Sequence, residues 1–360
     1  MRTVICRACA VLLLAHVLHP SQAAAQTALT CGQTATGTIA ASAERDQFAF
    51  NAAAGDVVTF SLIENGDLDA GFLAVGLVLR PDGFTHGTFI QGSVNATRLT
   101  ATGTYTVVIH DQIDLRRGHY ALRIGWALPV GKQCGDHATI GCGQVVSGGI
   151  DEPLEQDLFS FAGERDSVVT LPLLQTADVS QGFTASALIL RPDGFPVTGF
   201  GTNFVTSVTL PESGTYVVIV HDSLDRDRGR FSLRLESPAA CPSAPPFLGV
   251  GPNLTGPTLF LTAMLRAGGV PGPVDAYIAV QLPTGQFLSV LPGQQLVPGI
   301  VPFARGFVPF DSGSQYQALL ATYRFTGGEP AGTYVWYAVL TRPGTLDFVS
   351  PLHQAMFTVP

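Results

Sequence analysis

Charge is scarce in this sequence. Asp, Glu, Lys and Arg make up 13% of its 360 residues, about half the usual share, so Thr, Ser, Gln, Asn and turn backbone must supply the polar surface. The 27 acidic residues outnumber the 19 basic ones, for a formal charge of −8. A balance of that sign argues against nucleic acid and anionic lipid as partners. Long apolar runs are missing too: beyond the N-terminal leader, no stretch of about 18 residues is free of Gly, Pro or charge, so no membrane insertion is expected. No window of about 11 residues keeps a helical period of 3.6. Neither G-x-S-x-G nor H-E-x-x-H occurs, which removes the hydrolase elbow and the zinc helix as readings.

Cysteine is sparse but even. Of six, Cys6 and Cys9 fall in a leader (1–25) in which Arg2 and Arg7 precede an apolar run, and Ala23-Ala24-Ala25 fits a cleavage site before Gln26. This is the pattern of a secretory signal peptide, which makes the chain secreted or periplasmic. Four cysteines remain, Cys31, Cys134, Cys142 and Cys241, an even number that in an exported chain reads as two disulfides.

What is present is repetition. "LRPDGF" stands at 79–84 and again at 190–195. A shift of 111 residues brings "CGQTATGTIAASAERDQFAF" over "CGQVVSGGIDEPLEQDLFSF" and "GTYTVVIHD" over "GTYVVIVHD". Roughly two positions in five match, the mark of a tandem duplication. Phe48 and Phe50 share a face, as do Tyr105, Val107 and Ile109, and Tyr120, Leu122 and Ile124. Period two with one buried face predicts antiparallel strands. The fold class expected is all-β: two tandem jelly-roll-like β-sandwiches at 31–134 and 142–241, a Pro/Gly-rich linker at 242–256, and a third, Ig-like sandwich at 257–360, with Trp336 and Tyr337 in its core. In the sextet, Pro-Asp-Gly builds a turn, and Phe84 and Phe195 are expected to anchor the next strand. Pairing Cys31 with Cys134 and Cys142 with Cys241 treats the copies alike; Cys134–Cys142 with Cys31–Cys241 is the alternative.

The strings "DQFAF…GDVVTFSL…LVLRPDG…GTYTVVIHD…GHYALRI" and their second copy resemble the bacterial pre-peptidase C-terminal domain family. That resemblance covers 31–126 and 142–237. It implies a jelly-roll-like sandwich of the kind found beside secreted peptidases, related in fold to collagen-binding modules, some of which bind calcium. The family normally accompanies an enzyme, and nothing beside it here looks like one. The C-terminal part resembles an Ig-like β-module of exported bacterial proteins.

The candidate chemistry is thin. "HDQIDLRRG" and "HDSLDRDRG" occupy equivalent loops and offer Asp111 with Asp114 and Asp222 with Asp225 as calcium ligands. The competing expectation is that these Asp residues cap a turn, pair with Arg116, Arg117, Arg226 or Arg228, and leave the positive-φ position to Gly. His110 and His221 sit beside Asp111 and Asp222, but strand neighbours point to opposite faces and make no dyad. Trp126 has only Ser237 opposite it, and it, Phe89 and Phe200 are read as core. No catalytic residue and no cofactor other than a possible Ca2+ is assigned. The expected work is non-catalytic: binding or adhesion to an extracellular polymer, an envelope component or a partner protein. The alternatives are a spacer without a ligand, and an enzyme with an unfamiliar site in the C-terminal unit.

Overall fold

The computed structural model describes residues 26–202, 205–237, 245–266, 272–309 and 315–359; the expected leader and Cys241 lie outside them. Every described element is a strand or turn, and among the described residues no helix is long and apolar enough to cross a membrane.

The first unit holds β1 (Thr27–Ala28), β2 (Thr34–Ile39), β3 (Asp46–Ala52), β4 (Val57–Asp67), β5 (Ala74–Leu79), β6 (Thr85–Ile90), β7 (Asn95–Arg98), β8 (Gly103–Asp111) and β9 (Gly118–Leu128). They form two sheets, ordered β1-β3-β8-β5-β6 and β2-β9-β4-β7. The second unit holds β10 (His137–Thr139), β11 (Val145–Ile150), β12 (Gln156–Gly163), β13 (Val168–Asp178), β14 (Ala185–Leu190), β15 (Pro196–Gly201), β16 (Val205–Thr209), β17 (Gly214–Asp222) and β18 (Gly229–Arg234). Its orders are β10-β12-β17-β14-β15 and β11-β18-β13-β16. Strand for strand, the second topology is the first moved along by nine elements.

The period-two residues do what the pattern predicts. Phe48, Phe50, Tyr105, Val107, Ile109, Tyr120, Leu122 and Ile124 all point into the first core. Phe89, Phe200 and Trp126 are buried, and the Trp126 indole N–H donates to Asp56 at 3.2 Å. Cys31 and Cys134 are joined, Cα to Cα 5.6 Å across 103 residues. A loop of that length is worth ~4–5 kcal/mol in the chain-entropy account. The bond excludes the Cys134–Cys142 alternative. Cys142 is also disulfide-bonded.

The third unit begins earlier than its composition suggests. The expected linker 242–256 contains β19 (Phe247–Thr255), which pairs along its whole length with β20 (Thr258–Arg266). Pro252 and Gly249 are tolerated because nine residues of register hold the strand, and Gly249 lets Leu174 of the second unit press against the backbone. β21 (Val274–Gln281), β22 (Phe287–Leu291), β23 (Gln295–Pro298), β24 (Pro302–Phe307), β25 (Gln315–Arg324), β26 (Gly332–Thr341) and β27 (His353–Val359) follow. One layer is β19-β20-β25; the other, β27-β26-β21-β22-β23 with β24 also on β21, continues through a parallel β13–β27 pairing at Ala177–Met356 into the second unit's sheet, ten strands in all. Trp336 lies in the core, but Tyr337, its neighbour in β26, points the other way and donates to Gln281 Oε1 at 3.2 Å. Consecutive strand residues cannot share a face.

The units stack sheet against sheet. In β4, Val58, Phe60 and Leu62 face the first core, while Val57, Thr59, Ser61 and Ile63 face outward and are buried by the second unit. Val57, Ala127 and Leu128 meet Leu158, Leu190, Val217 and Ile219. Gln156 crosses the joint: Thr59 Oγ1 donates to its Oε1, and its Nε2 donates to Ser61 Oγ, each at 2.8 Å. The second "LRPDGF" turn also seats here. Arg98 donates to the Asp193 carbonyl at 2.9 Å, and a Cβ on Gly194 would strike Val57. The first turn touches nothing at Gly83. On the first unit's own five-stranded sheet, Gln47 and Thr106 stand where Leu158 and Val217 do in the second, and both interact with the Gln26 side chain.

The second unit receives the third on the sheet that corresponds to β2-β9-β4-β7. Leu174 packs on Phe247 and Met264, and Arg266 of β20 pairs with Glu236, which also pairs with Arg234 at 2.8 Å. Arg234 and Glu236 are fully buried. Burial pushes the Glu236 carboxyl up and the Arg234 guanidinium down from their ordinary values. Glu236→Ala leaves two cations facing each other without an anion, and a loss of about 3–5 kcal/mol is expected. Urea denaturation followed by Trp336 fluorescence in a Trp126→Phe background measures it, and an unchanged midpoint would show that the triad is not holding this joint.

His353 sits in the same joint, its Nδ1 accepting from the Val250 N–H at 3.2 Å and its Nε2 3.1 Å from Ser232 Oγ. Burial lowers its pKa to about 4. The unfolded histidine takes up its proton near pH 6.5. Between pH 6.5 and 4 the unfolded chain therefore binds more protons, and stability falls as acid is added. Asp178, raised to about 6 by desolvation, acts in the opposite sense, so comparison with His353→Gln isolates the histidine. Wild type should lose roughly 3 kcal/mol more than the variant between pH 7 and pH 4, as read from paired denaturation curves.

Candidate functional site

The acidic loops are built alike. Asp111 is buried, with Oδ1 accepting from the Leu73 N–H and Oδ2 from Ile113, Leu115 and Arg116 at 3.0–3.3 Å. Asp222 repeats this with Thr184, Leu224, Arg226 and Asp227 at 2.9–3.2 Å. Desolvation alone would raise Asp111, but four backbone donors outweigh it and hold the carboxyl below its ordinary range. Each aspartate fastens β8–β9 or β17–β18 to the turn before the adjoining strand.

Asp114 and Asp225 take the left-handed position themselves, at φ 58° in both copies. The expected Gly at the loop's end does something else: Gly118 and Gly229 have no Cβ because Phe72 and Phe183 lie there. Asp tolerates positive φ because its short side chain bonds locally. Here it bonds to the histidine four residues back, His110 Nδ1 to Asp114 at 2.8 Å and His221 Nδ1 to Asp225 at 2.9 Å. The loop arginines do not supply the ion pairs. Asp114 pairs with Arg45 at 2.7 Å, and Arg117 with Asp69 at 2.9 Å. The four proposed calcium ligands thus already hold N–H, imidazole or guanidinium partners. Among the described residues no group of three or more His, Cys, Asp or Glu gathers to hold a metal ion.

The sextet is also a self-contained turn. Asp82 and Asp193 each accept from the N–H two residues on, at 3.1 and 3.0 Å, and pair with Arg80 and Arg191. Phe84 and Phe195 are not strand anchors. They are 67% and 57% exposed, with the guanidiniums of Arg80 and Arg191 over their rings at 5.7 and 5.4 Å. The hairpin tip projects past the sheet, so a cation is the nearest cover a ring can find.

One duplicated group has lost its partner. In the first unit Tyr120 donates to Asp46 at 2.5 Å. In the second the positions are Phe231 and Asp157, and Asp157 Oδ1 is buried with no hydrogen bond. Desolvation, with Glu155 and Asp136 nearby, raises Asp157 to about 7. Stability from the protonated carboxyl is full below pH 3.8 and lost as pH rises through 7. Phe231→Tyr restores the donor, and Gly148 leaves room for the hydroxyl as Gly37 does for that of Tyr120. The variant should gain about 1.5–3 kcal/mol at pH 8 and little at pH 4, measured by thermal unfolding at both. Equal effects at the two pH values would mean that Asp157 does not titrate in this range.

The third unit holds a further candidate. Between β25 and the β22–β23 hairpin, the sandwich opens on an apolar cavity of about 210 Å³. Its walls include Leu288, Leu296, Phe325, Tyr334, Trp336 and Phe357. Tyr334 stacks on Phe357 at 5.0 Å, and Phe325 meets both edge-on. The Trp336 indole N–H is buried without an acceptor. At the rim, Tyr323 donates to Glu329 Oε1 at 2.7 Å, and Thr326 and Gly327 donate N–H groups to the same carboxylate. The Tyr323 hydroxyl and these N–H groups lower Glu329 to about 2, so it stays ionised. Mostly apolar walls with a few fixed polar groups are the usual makeup of a binding site. Only Trp336 had been singled out from the sequence, as core. The other walls converge through pairings that no local pattern encodes.

No family model matches this chain, and no curated protein matches it. Among solved structures, a periplasmic inhibitor of g-type lysozyme from Salmonella Typhimurium is 16% identical, spans 29% of this chain and 99% of its own, with a TM-score of 0.22. The BSP domain of a biofilm-associated protein is 10% identical over 88% of this chain and 62% of its own, with a TM-score of 0.23. A β-galacturonidase from Eisenbergiella tayi is 14% identical over 57% and 35%, with a TM-score of 0.19. Likenesses this slight do not bear on what the chain does.

Proposed function

We propose that this chain is an exported, non-catalytic array of β-sandwiches that binds a partner protein or extracellular polymer at the open side of its third unit. The observation that carries this reading is the cavity beside β25, walled by aromatic rings in a molecule whose repeats use their sheet faces on one another. The acid at its rim, Glu329, accepts from Tyr323 and backbone N–H groups and has no proton to give near neutral pH, which favours binding over acid catalysis. Export is supported by the Cys31–Cys134 bond, which belongs to an oxidising compartment, and by the leader expected at 1–25. The pre-peptidase C-terminal resemblance of the two repeats points the same way.

The buried Gln156 bridge between the first two units favours a second role for them, as a stiff spacer that holds the third away from an attachment point. The test is retention of the purified chain on collagen, chitin, cellulose and peptidoglycan, and in pull-downs on the producing cell's envelope, each with and without calcium. Retention that Leu296→Lys abolishes is expected. If nothing holds the chain on any of these, the spacer alone remains.

A further inference from the structure

Among the described residues β25 is the edge of its sheet, paired with β20 on one side only. It runs ten residues and exposes Leu319 (55%) and Tyr323 (40%). A long edge strand with apolar side chains is a template for another strand unless something blocks it. Here a bulge at Leu320 interrupts the strand, and beyond it one side chain caps the edge: the outward N–H of Thr322 donates to Gln294 Oε1 at 3.3 Å. Gln294 comes from the tight turn joining β22 to β23 and sits at φ 65°, a conformation a long-chain residue adopts at a cost. Its carboxamide stands where the peptide carbonyl of an added strand would be, and it also lines the cavity.

We propose that the open side of the third unit receives an extended peptide, added as a strand to β25, with one large apolar side chain in the cavity and a basic residue at Glu329. This rests on the binding reading above and makes it specific. A free backbone edge calls for a partner with backbone to pair, and strand addition takes affinity from main-chain bonds and selectivity from alternate side chains. The cavity beside the edge accepts one such side chain. The ionised carboxylate at the rim, on a chain of net charge −8, favours a cationic neighbour. In this arrangement Gln294 is a plug that the peptide displaces.

The test uses the full chain and the synthetic peptide acetyl-Lys-Thr-Leu-Thr-Phe-Thr-Lys-amide, with backbone hydrogen exchange read by segment. Protection should rise in 315–324. Gln294→Gly, which removes the plug and suits the left-handed backbone, should tighten binding about tenfold, roughly the worth of one hydrogen bond no longer displaced. A peptide with its central Thr replaced by Pro should bind weakly, for want of a donor. No protection of 315–324 at millimolar peptide in either protein overturns the proposal, as does equal binding of the proline peptide. Protection that grows with protein concentration and no peptide would make the occupant a second copy and also overturn it. Retention on an extracellular partner with 315–324 unprotected would leave the binding function standing while this mode of binding falls.

Discussion

Both faces of the middle sheets are buried, and the rest of the molecule follows from that. A sandwich needs only one apolar face per sheet, yet β4 and its relative β13 are covered front and back. The inward residues of β4, such as Phe60 and Leu62, make the unit's own core. The outward ones cannot all be apolar without making the isolated unit aggregation-prone, so Thr59 and Ser61 stand between Val57 and Ile63. Buried hydroxyls need partners, and a single Gln156 serves both. The joint is therefore specific as well as apolar.

The same demand recurs where the second unit meets the third, with a different chemistry. There the polar content is ionic, two arginines around Glu236, together with His353 held neutral between Ser232 and Val250. Between the copies the Gln156 bridge is neutral, with Arg98 on the Asp193 carbonyl and Arg123 near Glu152 beside it; between the second and third units a fully buried ion pair and a histidine take that place.

Much of the fold was legible in the sequence. A 111-residue self-match fixes two equal topologies, period two fixes which of Tyr105, Val107 and Ile109 face inward, and symmetry picks Cys31 with Cys134. Three things were hidden. β19 was masked by its Gly and Pro, since composition marks a linker when long-range pairing is invisible. Phe84 and Phe195 looked like anchors because a strand pattern does not say where the sheet ends. The left-handed Asp114 and Asp225 could be assigned only once His110 and His221 were seen four residues back across the bend. The aromatic cavity was the least legible, because its walls come from strands far apart in the chain, and its plug, Gln294, belongs to no motif at all.

The first unit's five-stranded sheet carries Gln47 and Thr106 where the second carries Leu158 and Val217. Head-to-tail contacts between like modules have no natural stopping point, and two molecules could in principle continue the series as a filament. With Gln47 and Thr106 there and Gln26 laid across them, that face lacks the apolar patch by which the second unit grips the first, which disfavours growth of the series from it.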